Sequence, residues 1–245
     1  MYDRGKDRKR YAETMKYERI RKGIFLQRPN RFLASVELDG CSELCHVKNT
    51  GRLGELLVRG AGVWVQEQNA PKRKTRFSLI AVEKDGVCYN IDSQAPNLLA
   101  KEWLESGRAF PGSRITEIRP EQKYGNSRFD LAFCRDGKKA LMEVKGVTLN
   151  QNGAGLFPDA PTLRGEKHVH ELIACCRDGY EAYLLFVVKF GTARCFMPNV
   201  PRQPEFAEAL REAERSGVQV MAVRCSVRPE KVEIAERIPV ILEEK

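Results

Sequence analysis

The chain has 245 residues, with 42 Lys plus Arg against 33 Asp plus Glu and a formal net charge of +9. That length can bury a core for one large or two modest domains, and a content of 42% hydrophobic and 31% charged residues excludes a disordered or multi-span membrane chain. No apolar run reaches the roughly 20 residues that a bilayer demands, and the opening MYDRGKDRKRYAETM lacks the apolar stretch of a secretion signal, so a cytoplasmic protein with no membrane association is expected.

Residues 1–15 are polar and basic and read as a flexible tail. From 16 to 92 the text is strand, turn, strand. IFLQRPNRFLASVELDG, SELCHVKNTG, ELLVRGAGVWVQEQ and TRFSLIAVEKDGVCYNID alternate apolar and polar residues, and Asp39-Gly40 and Asp85-Gly86 are hairpin signals. About five short strands in such a length predict a small barrel of the oligonucleotide-binding (OB) type.

From 93 to 245 strands and helices alternate. APNLLAKEWLESG opens as a helix after Pro96, ITEIRPEQKYG, SRFDLAFC and KALMEVKGVTL follow as strands, and TLRGEKHVHELIACCRDG and PEFAEALREAERSG carry helical apolar stripes around the strand AYLLFVVKF. The strand VQVMAVRCSV comes last. This is α/β text with a mixed sheet, antiparallel first and crossing over through helices later. Eight cysteines in a chain without an export signal are expected as reduced thiols. Cys41, Cys45 and His46 lack the second Cys pair that a zinc site needs.

Between SRFDLAFC and KALMEVK lies Arg135-Asp136-Gly137-Lys138. A two-residue loop at Asp136-Gly137 pairs Arg135 with Lys138, sets Asp130 opposite Glu143 and Arg128 opposite Lys145, and turns Phe129, Leu131 and Phe133 to the reverse face with Val144, Met142 and Ala140. Two carboxylates would then sit about 5 Å apart beside two cations. Like charges directly opposed destabilise a sheet, so the pair calls for a neutralising partner. Mg²⁺ (or Mn²⁺) held by Asp130 and Glu143, with Lys145 to stabilise charge on a phosphate, would make a phosphodiester-cleaving site. The alternative is a solvated strand face whose acids are bridged diagonally, Asp130 to Lys145 and Glu143 to Arg128.

Asp130 followed by Glu143-x-Lys145 on α/β text resembles the PD-(D/E)xK nuclease superfamily. RPNRFLA (28–34), HVKNTGRL (46–53), KYGNSRFD (123–130), MEVKGVTL (142–149) and FPDAPTLRGEKHVHEL (157–172) together resemble the sugar fermentation stimulation protein A family, in order and over nearly the whole chain. The resemblance implies an N-terminal OB-like barrel followed by a restriction-endonuclease-like domain, with DNA as partner and nuclease action suggested by the fold. It places Asp130, Glu143 and Lys145 on the nuclease motif and Glu102 on an extra acid of the opening helix. Phe129 stands where the motif name has proline.

Among other residues, Arg164, Lys167, His168 and Glu171 fall on one face of their helix, as phosphate contacts or as a solvated face, and His168 is the further candidate for proton transfer. Asp159 reads as a turn residue, with orienting a loop over the site or binding a second metal as the alternatives. In the barrel, Arg28, Arg31, Lys48, Arg52 and the run containing Lys72, Arg73 and Lys74 are candidates to track a phosphate backbone, with Phe32, Trp64 or Phe77 to stack bases. Three readings result: a metal-dependent nuclease on DNA or RNA, a non-catalytic DNA-binding regulator linked to sugar metabolism, or an enzyme acting on a small nucleotide or sugar phosphate. A homodimer is compatible with the sequence, which does not fix an oligomeric state.

Overall fold

The computed structural model describes residues 15–69, 74–125 and 127–243. The tail before Met15 and the pair Lys72 and Arg73 lie outside these residues. The chain enters as a short strand β1 (Met15–Lys16) and then builds the barrel: β2 (Ile20–Asn30), β3 (Leu33–Leu38), β4 (Cys41–Val47), β5 (Gly62–Glu67) and β6 (Phe77–Lys84), followed by β7 (Val87–Asn90). Antiparallel pairing runs β4, β3, β2, β5, β6, and a parallel β4–β6 pairing closes five strands into a ring. Both predicted hairpins form. Asp39 and Gly40 have φ of 51° and 79°, and Asp85 and Gly86 have 51° and 73°, the left-handed pair that a two-residue turn demands. At the β2–β3 corner the Asn30 side chain does the work of a turn, its Oδ1 accepting from the amides of Phe32 (2.8 Å) and Leu33 (3.1 Å).

The second domain follows as α1 (Ala95–Glu105), β8 (Ile115–Tyr124), β9 (Ser127–Arg135), β10 (Lys138–Val147), β11 (Leu149–Gln151), β12 (Ala154–Phe157), α2 (Leu163–Arg177), β13 (Glu181–Val188), β14 (Cys195–Pro198), α3 (Pro204–Arg215), β15 (Gln219–Arg228) and β16 (Lys231–Ile238). Seven strands form one sheet in the order β1-β16-β15-β13-β10-β9-β8, and β11-β12-β14 make a small second sheet. β10, β13 and β15 are parallel, joined through α2 and α3, whereas β8, β9 and β10 are antiparallel. The chain is therefore an OB-like barrel followed by a mixed-sheet α/β domain.

Three details depart from the sequence reading. Met15 and Lys16 pair with Val232 and Lys231, so the segment assigned to the tail and the start of the barrel belongs to the second domain's sheet. The small sheet and β16 were not read, because strands this short or this charged give little alternation. Finally, both faces of the large sheet are covered, one by α1 and the other by α2 and α3.

Polar groups tie the domains together. Asp92 is fully buried, and its carboxylate accepts from Lys48 Nζ (3.1 Å), the Tyr17 hydroxyl (3.3 Å) and the Gln94 amide (2.9 Å). Its carbonyl accepts from Lys189 Nζ at 3.0 Å. Across the same junction Tyr89 and Phe190 pack with ring centroids 5.1 Å apart, and Asn150 donates to the Tyr89 hydroxyl at 2.8 Å.

Gly23 shows how tightly the barrel closes. A Cβ there would lie 2.6 Å from the carbonyl oxygen of Glu37 and 2.5 Å from Leu38 Cδ2. A backbone oxygen in a ladder cannot step aside cheaply, so Gly23→Ala should cost about 1–3 kcal/mol by overpacking. Urea unfolding should show a lower midpoint, and an unchanged midpoint would mean that the strand yields.

Candidate active site

The Asp136-Gly137 turn forms as read, with φ of 50° and 86°, and the ladder pairs Lys138 with Arg135 through Met142 with Leu131. Beyond Met142 and Leu131 the ladder between these two strands ends. The N–H of Val144 goes to Asp130 Oδ2 at 2.8 Å, so a side chain takes the place of a backbone partner. Asn97, near the start of α1, donates to Asp130 Oδ1 at 2.7 Å. Phe129 consequently packs on the α2 side, 6.3 Å from the His168 ring, and not on the α1 side with Val144 as an unbroken alternation would have it.

Glu143 and Lys145 face α2, not solvent. Glu143 is 2% exposed. Lys145 Nζ lies 2.5 Å from its Oε1, and His168 Nδ1 makes a short contact with the same oxygen. An ionised carboxylate can only accept, so that ring nitrogen carries the hydrogen. Oε2 is buried with no hydrogen-bond partner among the described residues. Burial alone would push the Glu143 carboxyl up, but the His168 hydrogen bond and the Lys145 ammonium outweigh it and hold the group below the ordinary glutamate range. Asp130 moves the other way: burial and the charge of Glu143 push it up, against the Val144 amide, Lys145 and Asn97.

Asp130 and Glu143 lie close enough for their charges to couple, and their oxygens, one of them orphaned, are the hard donors that a divalent cation takes. Among the described residues no group of three His, Cys, Asp or Glu side chains could hold a metal, so an ion here would rest on these two acids and complete its shell with water or substrate oxygens, as Mg²⁺ commonly does.

The remaining candidates divide. Lys123, Ser127, Arg128, Arg164, Lys167 and His168 line one open cleft of about 380 Å³, so Arg128, Arg164 and Lys167 meet in a cleft joined to Glu143 through His168. Arg128 is bridged to Glu121 at 2.9 Å, and the expected diagonal to Glu143 does not form. Glu102 does not join the site: the Met15 amide donates to its carboxylate, and burial raises its pKa to about 6. The α1 residue that reaches Asp130 is Asn97, an amide that a search for acids passes over.

In the barrel, Arg28 is not free for phosphate. Its guanidinium donates to the carbonyls of Gly51, Arg52, Arg31 and Asn49 at 2.6–2.7 Å, clamping the loop. Lys48 is also turned inward, to Asp92. Arg31, Arg52 and Lys74 are exposed, and Phe32 is 45% exposed with the Arg31 guanidinium 4.8 Å from its ring. Phe77 is core and Trp64 half-buried.

A pH experiment tests the buried pair. Because Glu143 is depressed in the fold, its ionised form adds stability that is fully present above the ordinary glutamate range and lost as pH falls below it. Glu143→Gln should lower stability by about 2 kcal/mol near neutral pH in metal-free buffer, the scale of a charged hydrogen bond, and the deficit should shrink on acidification. A deficit equal at every pH would show that the carboxylate is not held by its charge.

Residues 26–91 match the family described as SfsA N-terminal OB domain, and residues 94–231 match sugar fermentation stimulation protein RE domain. The sugar fermentation stimulation protein homologs of Ruminiclostridium cellulolyticum and Clostridium beijerinckii are 48% and 49% identical over 228 residues, each covering 93% of this chain and the whole of the relative. A solved structure of Pyrococcus furiosus SfsA in complex with Ca²⁺ superposes with a TM-score of 0.84 at 28% identity, over 94% of this chain and all of that one. The chain belongs to the sugar fermentation stimulation protein family, with an OB domain preceding its RE domain.

Proposed function

We propose that the chain is a nucleic-acid-binding nuclease that uses a divalent cation, Mg²⁺ or Mn²⁺, to hydrolyse phosphodiester bonds. The observation that carries this reading is the orphaned Oε2 of Glu143, a buried carboxylate whose charge couples to Asp130 and which stands two residues from Lys145. The solved relative's complex with Ca²⁺ supports a divalent cation in this family.

Asp130 and Glu143 would hold the ion. Bound there, such an ion supplies Lewis-acid polarisation of a phosphoryl oxygen and activation of water. The Lys145 ammonium, paired with Glu143 at rest, is placed to stabilise negative charge growing on the phosphate. His168 positions Glu143 by holding Oε1. Lys123, Arg128, Arg164 and Lys167 would grip phosphates through the cleft, and Arg31, Arg52 and Lys74 with exposed Phe32 would extend the track onto the barrel.

A second reading has its own observation. Glu143 Oε1 is already ion-paired with Lys145 and hydrogen-bonded to His168, an arrangement that also suits a protein that binds nucleic acid without cutting it.

Cleavage of single-stranded, duplex and branched DNA and RNA with Mg²⁺ or Mn²⁺ separates the two. Lys145→Ala should lower cleavage by about 10²-fold or more while leaving salt-sensitive binding in place. Binding without cutting by either protein would leave the regulator.

A further inference from the structure

A second cavity, of about 280 Å³, lies between the domains and has no part in the site described above. The barrel loop Asn49–Gly51 with Leu53 forms one wall, and Thr148, Leu156 and Asp159 of the second domain form the other. Ser93 and Pro96 line it from the linker and the start of α1. Lys189, 2% exposed, also lines it. Its Nζ donates to the Asp92 carbonyl, one recorded bond for a group with three hydrogens. Burial brings this ammonium down to about 8.

The cavity adjoins the nuclease group through the backbone. Gly146, the residue after Lys145, forms part of the lining, and a Cβ on it would fall 3.6 Å from Lys189 Nζ and 2.7 Å from Pro96 Cγ. The lining also differs in kind from the open cleft beside His168. There, exposed Lys and Arg suit phosphates. Here, Leu53, Leu156 and Pro96 offer apolar surface, Thr148 a hydroxyl, and Asp159 a carboxylate that feels the charge of Lys189 but accepts no hydrogen bond from the described residues. A carboxylate that only accepts calls for a partner with N–H or O–H groups, as a base edge or a sugar has. The volume is at the lower end of small-molecule sites and far too small for a duplex, whose major groove alone is about 12 Å wide.

We propose that this interdomain cavity seats one unpaired nucleotide, its base and sugar between the barrel loop and the Thr148–Asp159 wall, with Asp159 and Thr148 reading its hydrogen-bonding edge. The inference deepens the nuclease reading and rests on it for the neighbouring phosphodiester: a strand that must surrender one nucleotide to the cavity is single-stranded or frayed at that point.

The test is calorimetric titration of the full chain, in metal-free buffer, with adenosine 5′-monophosphate, adenosine, inorganic phosphate and a blunt DNA duplex. Saturable binding of the nucleotide is expected, weakened about tenfold by Asp159→Asn and by Thr148→Val, with phosphate alone and the duplex failing to displace it. Lys189→Met should weaken it as well, and should that variant not fold, the two wall variants decide. No saturable binding at millimolar nucleotide, unchanged affinity in both wall variants, or phosphate binding as well as the nucleotide would overturn the proposal. Because the titration needs no metal and no turnover, nucleotide binding without cleavage would sink the nuclease and leave the cavity standing, and cleavage without nucleotide binding would do the reverse.

Discussion

A carboxylate almost cut off from water has to be neutralised from within the protein, and Glu143 sets that constraint for this molecule. Its partners come from two places: the Lys145 ammonium, two residues along the same strand, and the His168 hydrogen bond from the covering helix. The helix therefore has to lie where its imidazole meets the strand, and Val169, Leu172 and Ile173 bury on the sheet at the same time. Asp130 is held by a strand amide and by Asn97, which fixes the start of the helix on the opposite face. The charge pair thus sits where both helical layers are locked to the sheet.

The barrel is bound to this arrangement by a second buried acid. Asp92 follows the last barrel strand and precedes α1, and it gathers Lys48 of the barrel, Tyr17 beside β1 and, through its carbonyl, Lys189 after β13. Removing any one of those donors leaves buried polar groups short of a partner, the costly half of hydrogen-bond energetics. A linker built this way is not a free hinge, and the space between the domains is correspondingly defined.

Much of this was legible in the sequence where local stereochemistry dictates it. Asp-Gly pairs need left-handed backbone, so Asp39-Gly40, Asp85-Gly86 and Asp136-Gly137 announce their hairpins, and the last of them sets a register that holds as far as Met142 and Leu131, beyond which Asp130 turns its carboxylate to the Val144 amide. What could not be read depends on partners distant in the chain. A strand with Glu and Lys two apart looks half-solvated until a helix is known to cover it. Arg28 and Lys48 look like surface cations because nothing local shows that one will gather four loop carbonyls and the other a buried acid. Asn97 carries no signal of its own, since an amide beside a helix start is ordinary until the acid facing it is known.

The pairing of Met15 and Lys16 with Lys231 and Val232 has a consequence for the order in which the molecule can be completed. The edge of the large sheet is finished by residues from opposite ends of the polypeptide. During synthesis the barrel's strands emerge early and find their neighbours nearby, whereas β1 waits for β16, the last of the strands named above. Until then Tyr17 and its hydrogen bond to the linker acid lack their final support. Full seating of the barrel on its companion therefore depends on β16 having been made.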